Sequence, residues 1–192
     1  MLASASPRRR ELLAAAGWEF EVICGDADET PPEGAVAEQV AVVLAERKAR
    51  GVAQELGDET ALVIGADTGV ALDDGAGGTA LLGKPADANE ARAMLQALSG
   101  SRHRVVTGVC VLEHPAGRAR TAWERTWVSM RPISEEEIRA YVASGEWRDK
   151  AGGYAIQETA DAFVTSLEEG GRDNVIGLPV ALTARLLREA GG

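Results

Sequence analysis

The sequence predicts an α/β fold of two lobes, in which a mixed β-sheet is flanked by helices. The continuous apolar run Ala61–Ala66 has the pattern of a strand that is covered on both faces. Two pairs of strand-like segments are each separated by a turn, which predicts hairpins and argues against strict βαβ repetition. The 192 residues suffice for one domain or for two tightly joined lobes, and we take residues 1–192 as a single domain.

The chain opens with a short strand and a capped helix. Leu2–Ser4 forms the predicted strand, and the pattern of Leu and Ala over Arg8–Ala16 predicts the helix. Ser6 is suited to the N-cap of this helix, and Pro7 to its first turn. Gly17 suits the position just after the helix.

The next segments continue the alternation of strands and helices. Trp18–Cys24 alternates apolar and polar residues, which predicts a half-buried strand. A long helix is predicted over Ala35–Leu56, closed by Gly57. The pair Asp67-Thr68 is placed at the carboxyl end of the strand Ala61–Ala66. The remaining predicted elements are a hairpin of Val70–Leu72 and Ala80–Leu82 around the turn Asp73–Gly78, a helix over Asp87–Ser99, a hairpin of Val105–Leu112 and Ala122–Met130, a helix over Ser134–Ser144 and a terminal helix over Leu178–Leu187.

Composition excludes several classes of protein. The formal charge of −10 repels nucleic acids and anionic membranes, so we expect neither as a partner. No apolar run approaches the roughly 20 residues of a membrane span. The N-terminal residues have the wrong order of charge and apolar character for a secretory signal. Cys24 and Cys110 lack paired spacing and predict idle thiols in a reducing compartment, so we expect a cytoplasmic protein.

The segment from Ser4 to Arg10 is a candidate anion site. A strand ends there, and a helix begins with its positive dipole end facing the turn. Arg8, Arg9 and Arg10 add phosphate donors, although cations at a helix N-terminus are unfavourable unless an anion is nearby. The alternative is an ordinary N-cap followed by solvated arginines.

Two further segments could bind a metal ion or phosphate. Asp67, at a predicted strand end, could hold a divalent cation or accept a proton from water, or it could simply cap the following turn. Gly78–Lys84 resembles the start of a P-loop, but Pro85 replaces the hydroxyl residue that the motif requires. Lys84 therefore remains as a point charge for phosphate, or as an ordinary surface lysine.

Two late segments could contribute to a ligand site. The glycines of 149–157 allow close backbone approach, and Tyr154 and Gln157 offer stacking and amide recognition to a base. A glycine-rich loop that enters a strand explains the same residues. Asn174–Pro179 could cap the last helix and close on the same ligand, although a plain helix entry is the simpler interpretation.

Taken together, these segments resemble the Maf family of nucleotide pyrophosphatases, which belongs to a broader group with the inosine-triphosphate pyrophosphatases. The resemblance covers nearly the whole chain. The matching segments are 2–13 (LASASPRRRELL), 28–29 (DE), 46–49 (ERKA), 65–68 (GADT), 83–85 (GKP), 98–100 (LSG), 149–157 (DKAGGYAIQ) and 174–179 (NVIGLP).

The resemblance implies roles for individual residues. Asp67 corresponds to the proton acceptor of the family, and Asp67 with Glu29 to its metal ligands. Three residues hold the specificity positions and match the pyrimidine branch rather than the branch acting on 7-methyl-GTP: Arg8, Thr68 and Gln157. Five residues correspond to phosphate-binding positions: Ser6, Arg9, Lys48, Lys84 and Lys150.

The resemblance also implies an activity. We expect hydrolysis of dTTP or UTP to the monophosphate and pyrophosphate, with Mg²⁺ or Mn²⁺, at a site in the cleft between the two lobes of the chain. A homodimer is a further possible feature. The family is associated with cell-division arrest and septum formation, so a nucleotide-binding regulator with little turnover is a second hypothesis. An enzyme that removes non-standard purine triphosphates is a third hypothesis.

Overall fold

The computed structural model describes residues 1–73 and 78–191. Within them lies one mixed β-sheet of seven strands. The strands are β1 (Leu2–Ala3), β2 (Val22–Ile23), β3 (Ala61–Asp73), β4 (Thr79–Leu82), β5 (Arg102–His114), β6 (Arg118–Met130) and β7 (Val164–Glu168). Their order is β2-β1-β3-β5-β6-β7, with β4 paired to β3. The β1 pairs are parallel and the β3–β4 and β6–β7 pairs are antiparallel, which confirms the predicted mixed sheet.

Helices connect and follow the strands. The α-helices are α1 (Pro7–Ala15), α2 (Ala37–Ala53), α3 (Ala88–Leu98), α4 (Glu135–Ser144), α5 (Arg172–Ile176) and α6 (Val180–Gly191), and short 3-10 helices lie at Ala151–Gly153 and Thr159–Phe163. The predicted cap of α1 is confirmed, because Ser6 Oγ accepts a bond from the Arg9 amide. In the part of the chain that the structure describes, no helix combines the length and apolar character needed to cross a membrane.

The chain divides into two compact units. Unit 1 comprises Met1–Thr68, Thr107–Glu124 and Gly177–Gly192, and unit 2 comprises Gly69–Val106 and Arg125–Ile176. Each unit has its own apolar core. In unit 1 the core includes Leu2, Leu13, Ala45, Ala49, Ile64, Val109, Leu178 and Leu186. In unit 2 it includes Val70, Leu95, Leu98, Val128, Ile138, Tyr141, Tyr154 and Phe163.

Two glycines allow α2 to pack closely on the strands of unit 1. A Cβ atom on Gly65 of β3 would overlap the carbonyl oxygen of Ala45, and one on Gly108 of β5 would overlap the backbone of Ala41. Any larger residue would therefore push α2 away from the sheet. Because Lys48 lies on α2, these glycines also set how near its side chain comes to β3.

Three local predictions differ from the structure. Asp67-Thr68 does not end a strand: β3 continues to Asp73 because residues from Val70 onward pair with β4. The strand predicted over Trp18–Cys24 is reduced to Val22–Ile23, since its partner β1 has only two residues. The long helix predicted over Ala35–Leu56 ends at Ala53. Residues 74–77 of the predicted turn Asp73–Gly78 lie outside the described residues.

Candidate functional site

A lysine bridges two carboxylates in unit 1. Lys48 Nζ lies 2.6 Å from Asp67 Oδ1 and 2.8 Å from Glu29 Oε1. The side chains of Lys48 and Asp67 are only 13% and 16% exposed, whereas Glu29 is 51% exposed. Helix α2 supplies the lysine, β3 supplies Asp67, and the loop after β2 supplies Glu29. The group carries one positive and two negative charges, so it retains a net charge of −1 that suits a further cation.

The guanidinium of Arg9 is fixed by three acceptors in the same unit. Arg9 Nε donates to the Gly177 carbonyl at 2.8 Å, Nη1 to Ser4 Oγ at 3.3 Å and Nη2 to Thr68 Oγ1 at 3.2 Å. Gly177 has φ +123°, and a Cβ there would lie 3.2 Å from Thr68 Oγ1 and 3.4 Å from Arg9 Nε. A side chain at this position would crowd the arginine, which explains why this turn carries glycine.

Arg9 keeps donors for a ligand. A guanidinium has five N–H groups, and the three bonds described use one from each nitrogen. Burial lowers the pKa of Arg9, and the nearby carboxylate of Asp67 partly offsets this. An anion bound at the remaining donors would relieve the unfavourable burial of this cation. Arg9 is therefore not a solvated arginine, whereas Arg10 is exposed. The anion site itself stays a prediction.

Two hydroxyl residues contact these side chains: Ser4, which belongs to the candidate anion segment, and Thr107, which sequence reasoning missed. Thr107 is fully buried, and its Oγ1 lies 2.9 Å from Thr68 Oγ1. Ser4 Oγ accepts bonds from both Arg9 Nη1 and the Ser6 amide. The available signal for Thr107 was a polar residue within the predicted apolar strand Val105–Leu112, because a buried hydroxyl requires a partner.

The carboxylates of unit 1 fit a divalent metal only with help from a ligand. Among residues 1–73 and 78–191, no three His, Cys, Asp or Glu side chains are grouped so that they could hold a metal ion. Mg²⁺, however, is commonly bound by one or two carboxylates together with phosphate oxygens and water. Asp67 and Glu29, which share the Lys48 ammonium, have the donor chemistry for such a site.

In unit 2 a glycine turn joins two of the predicted segments. The Gly152 amide donates to the Gly83 carbonyl at 2.9 Å, so the turn lies beside Lys84 and Pro85. Gly152 and Gly153 have φ of +68° and +70°, and a Cβ on Gly152 would lie 2.9 Å from Val70 Cγ2. These positions require glycine for both backbone conformation and space.

The predicted ligand residues of unit 2 have different environments. Lys150 is buried, and its ammonium contacts Glu158 Oε2 at 3.2 Å and the Glu146 carbonyl. Lys84 and Gln157 are exposed. Asn174 is fully buried and donates to the Val105 carbonyl and to Thr126 Oγ1, so it holds α5 in place.

The prediction that Tyr154 offers stacking to a base is wrong. Its ring is buried in the unit 2 core, and its hydroxyl lies 2.8 Å from His103 Nε2. His103 is fully buried as well, and its Nδ1 lies 3.1 Å from Ser101 Oγ. Burial lowers the pKa of His103 to about 4 and raises that of Tyr154. The sequence could not distinguish a buried tyrosine from an accessible one beside two glycines.

The predicted site residues thus fall into two sets. Unit 1 contains Ser6, Arg8, Arg9, Glu29, Lys48, Asp67 and Thr68, and unit 2 contains Lys84, Lys150 and Gln157. Within unit 1, a hydrogen bond joins Arg9 to Thr68, and ion pairs join Lys48 to both carboxylates. Arg8 lies half-buried in the first turn of α1. The predicted cleft between lobes stays a prediction.

Comparison with known proteins identifies the family. The protein from Pelotomaculum thermopropionicum named dTTP/UTP pyrophosphatase is 47% identical over 191 residues, which covers 100% of this chain and 96% of the relative. Proteins of the same name from Deinococcus radiodurans and Myxococcus xanthus are 47% and 48% identical, with 100% of this chain and 92% of each relative covered. The family model described as Maf-like protein matches residues 1–190. The chain therefore belongs to the Maf family.

Proposed function

We propose that this protein is a nucleoside triphosphate pyrophosphatase that hydrolyses dTTP and UTP to the monophosphate and pyrophosphate. Support comes from the name shared by relatives that are matched over the full chain. The structural observation that carries the proposal is the pairing of Asp67 with Lys48 and Glu29 in unit 1. A carboxylate held beside an ammonium and a second carboxylate suits both metal binding and proton transfer.

The reaction requires charge neutralisation more than covalent chemistry. A nucleoside triphosphate brings about four negative charges, and the protein itself has a net charge of −10. Asp67 and Glu29 would hold Mg²⁺ or Mn²⁺, which neutralises phosphate charge when bound. Arg9 donates through its remaining N–H groups, and Lys48 through its third N–H. Ser6, Lys84 and Lys150 complete the set of proposed phosphate donors.

Asp67 acts on the attacking water. Its carboxylate accepts a proton from water as the water oxygen bonds to the α-phosphorus. The bond from the α-phosphorus to the bridging oxygen breaks, and the electron pair leaves with pyrophosphate. Donors aimed at the leaving group stabilise the charge that develops on it. Arg8, Thr68 and Gln157 are assigned to recognition of the pyrimidine base, because hydrogen-bonding sites reject bases that leave their donors unpaired.

A nucleotide panel with isotopic water tests this proposal. The purified protein is incubated with dTTP, UTP, dCTP, ATP, GTP and ITP, each with Mg²⁺ or Mn²⁺, in water enriched in ¹⁸O. We expect turnover to be highest with dTTP and UTP, and ¹⁸O to enter the monophosphate. Label in pyrophosphate or release of inorganic phosphate would place the attack elsewhere and contradict the proposed chemistry.

The same panel separates the rival functions. A preference for ITP over dTTP would identify an enzyme for non-standard purine nucleotides. Nucleotide binding without product, measured by calorimetry under the same conditions, would instead identify a regulator. Size-exclusion chromatography with light scattering tests the proposed homodimer independently of turnover.

A further inference from the structure

A chain of side-chain hydrogen bonds in unit 1 leads from the strand β5 to Arg9. Thr107 Oγ1 lies 2.9 Å from Thr68 Oγ1, which in turn accepts from Arg9 Nη2 at 3.2 Å. Thr107 is fully buried, whereas Thr68 and Arg9 are each partly exposed. A bound ligand can therefore reach Arg9 and Thr68, while the innermost hydroxyl only contacts protein.

We propose that Thr107 is a positioning residue, which fixes the Thr68 hydroxyl and, through it, the guanidinium of Arg9. Ser4 and the Gly177 carbonyl hold the other two nitrogens of Arg9. The Thr68 bond is therefore the one that depends on another side chain for its direction. This inference rests on the proposed function only for its effect on turnover.

The backbone around Thr107 gives it a fixed location. Gly108 lets α2 approach so closely that a Cβ at this position would overlap the Ala41 backbone. Thr107 lies within the β5 strand, between Val106 and Gly108, which are both buried. A β-branched side chain in a strand has few accessible χ1 rotamers, so its hydroxyl is pre-oriented. Because the Thr107 hydroxyl is already fixed, little conformational entropy is lost when Thr68 forms a hydrogen bond with it.

Thr107→Val tests the proposal because it keeps the shape of the side chain and removes the hydroxyl. Thr183→Val is the matched control: Thr183 is also buried in unit 1, but its hydroxyl donates to the carbonyl of Pro179, the residue just before the last helix. The first readout needs no nucleotide. Solvent exchange of the Arg9 Nη2 hydrogens, which Thr68 Oγ1 accepts, is followed by NMR with ¹⁵N-arginine. It is expected to accelerate about tenfold in Thr107→Val, the effect of losing one hydrogen bond.

Exchange should remain at the wild-type rate in Thr183→Val and return to it in Thr107→Ser, which restores the hydroxyl. Equal exchange in Thr107→Val and wild type would overturn the inference whether or not the protein hydrolyses nucleotides. Should Thr107→Val fail to fold, Thr107→Cys keeps a similar size with a weaker hydrogen bond.

The second readout is kinetic and uses the wild-type turnover of dTTP as its reference. We expect kcat/KM to fall about tenfold in Thr107→Val. In a Thr68→Val background, the same change should have no additional effect, because Thr107 acts through Thr68. Multiplicative losses would show that Thr107 acts by another route. Absence of turnover in the wild-type protein would count against the proposed function. The hydrogen-exchange measurement would then by itself test whether Thr107 positions Arg9.

Discussion

Two lysines that are largely shielded from solvent, one in each unit, illustrate how the same side chain is used differently. Lys48 in unit 1 and Lys150 in unit 2 have side chains that are 13% and 9% exposed. Both ammonium groups contact two oxygen acceptors. Lys48 contacts two carboxylates, whereas Lys150 contacts the Glu158 carboxylate and a backbone carbonyl.

The difference lies in the charge that each arrangement leaves behind. The Lys48 group has a net charge of −1, and the Lys150 pair is neutral. A neutral pair needs no further cation, whereas a partly buried group with excess negative charge favours one. The comparison teaches that burial of a lysine does not reveal its role, because the count of carboxylates around it decides what else can bind.

Removal of the carboxylate of Asp67 is expected to have the largest effect. Asp67→Asn keeps the size of the side chain but cannot accept a proton from water, so turnover of dTTP should fall about 1000-fold. Asp28→Asn is the control, since Asp28 contacts Arg47 and Thr30 on the surface of the same unit. Circular dichroism and thermal unfolding check that both variants fold. More than a tenth of wild-type turnover in Asp67→Asn would exclude it as the base.

Two glycines of β3, one in each unit, test how closely the strand is packed by its neighbours. A Cβ on Gly65 in unit 1 would overlap the Ala45 carbonyl, whereas one on Gly69 in unit 2 meets no atom within 4 Å. Gly65→Ala should therefore lower the free energy of unfolding by about 3 kcal/mol. Gly69→Ala should change it by less than about 1 kcal/mol. Urea unfolding measures both, and equal losses would show that α2 tolerates displacement.

The two lysines provide the direct test of the charge comparison. Lys48→Met should lower kcat about 100-fold, because it removes a donor that stabilises developing charge and leaves two carboxylates without their shared cation. Lys150→Met should mainly raise KM, by about tenfold, through loss of one phosphate contact. Steady-state kinetics with dTTP distinguish them. Similar changes in kcat for the two variants would mean that the lysines have equivalent roles.

Because His103 in unit 2 is buried, we expect the free energy of unfolding to depend on pH, with no corresponding effect on turnover. Burial lowers the pKa of His103 to about 4, whereas an unfolded histidine titrates near 6.5. Between these values only the unfolded chain binds the proton, so stability falls as the pH decreases. From pH 6.5 to 5 this amounts to about 2 kcal/mol.

His103→Gln should remove that part of the pH dependence, as measured by urea unfolding at the two pH values. His114→Gln is the matched control for loss of a histidine. The same pH dependence in wild type and His103→Gln would show that the histidine is protonated in the folded protein.

Most elements could be predicted from local patterns. The cap at Ser6 depends on side chains within three residues of the helix start, so the sequence predicts it correctly. Strand lengths were harder, since they depend on partners distant in sequence. β3 is longer than predicted because β4 pairs with its second half, and β2 is shorter because β1 has two residues. The strand β7 and the helix α5 were not predicted.

In the candidate site, too, the residue types could be predicted from local motifs, whereas the contacts depend on residues distant in the sequence. Residue types and their family motifs predicted Asp67, Lys48, Glu29 and Arg9, and the structure brings the first three into one ion-pair group. Tyr154 looked accessible beside two glycines, but the core of unit 2 buries it. Which side of a backbone faces a ligand depends on packing, and no local spacing encodes that.

The sequence by itself determined the family, the helix caps and the chemical types of the site residues, because motifs and caps involve short segments. Only the tertiary structure decided that Lys48 bridges two carboxylates and that Thr107 supports Thr68 from 39 residues away along the chain. The Lys48 contacts form when α2 packs against the sheet at a separation set by Gly65 and Gly108, whereas the Thr107–Thr68 contact joins the neighbouring strands β5 and β3. The physical reason is that a pairing between distant side chains depends on how closely their backbones can approach.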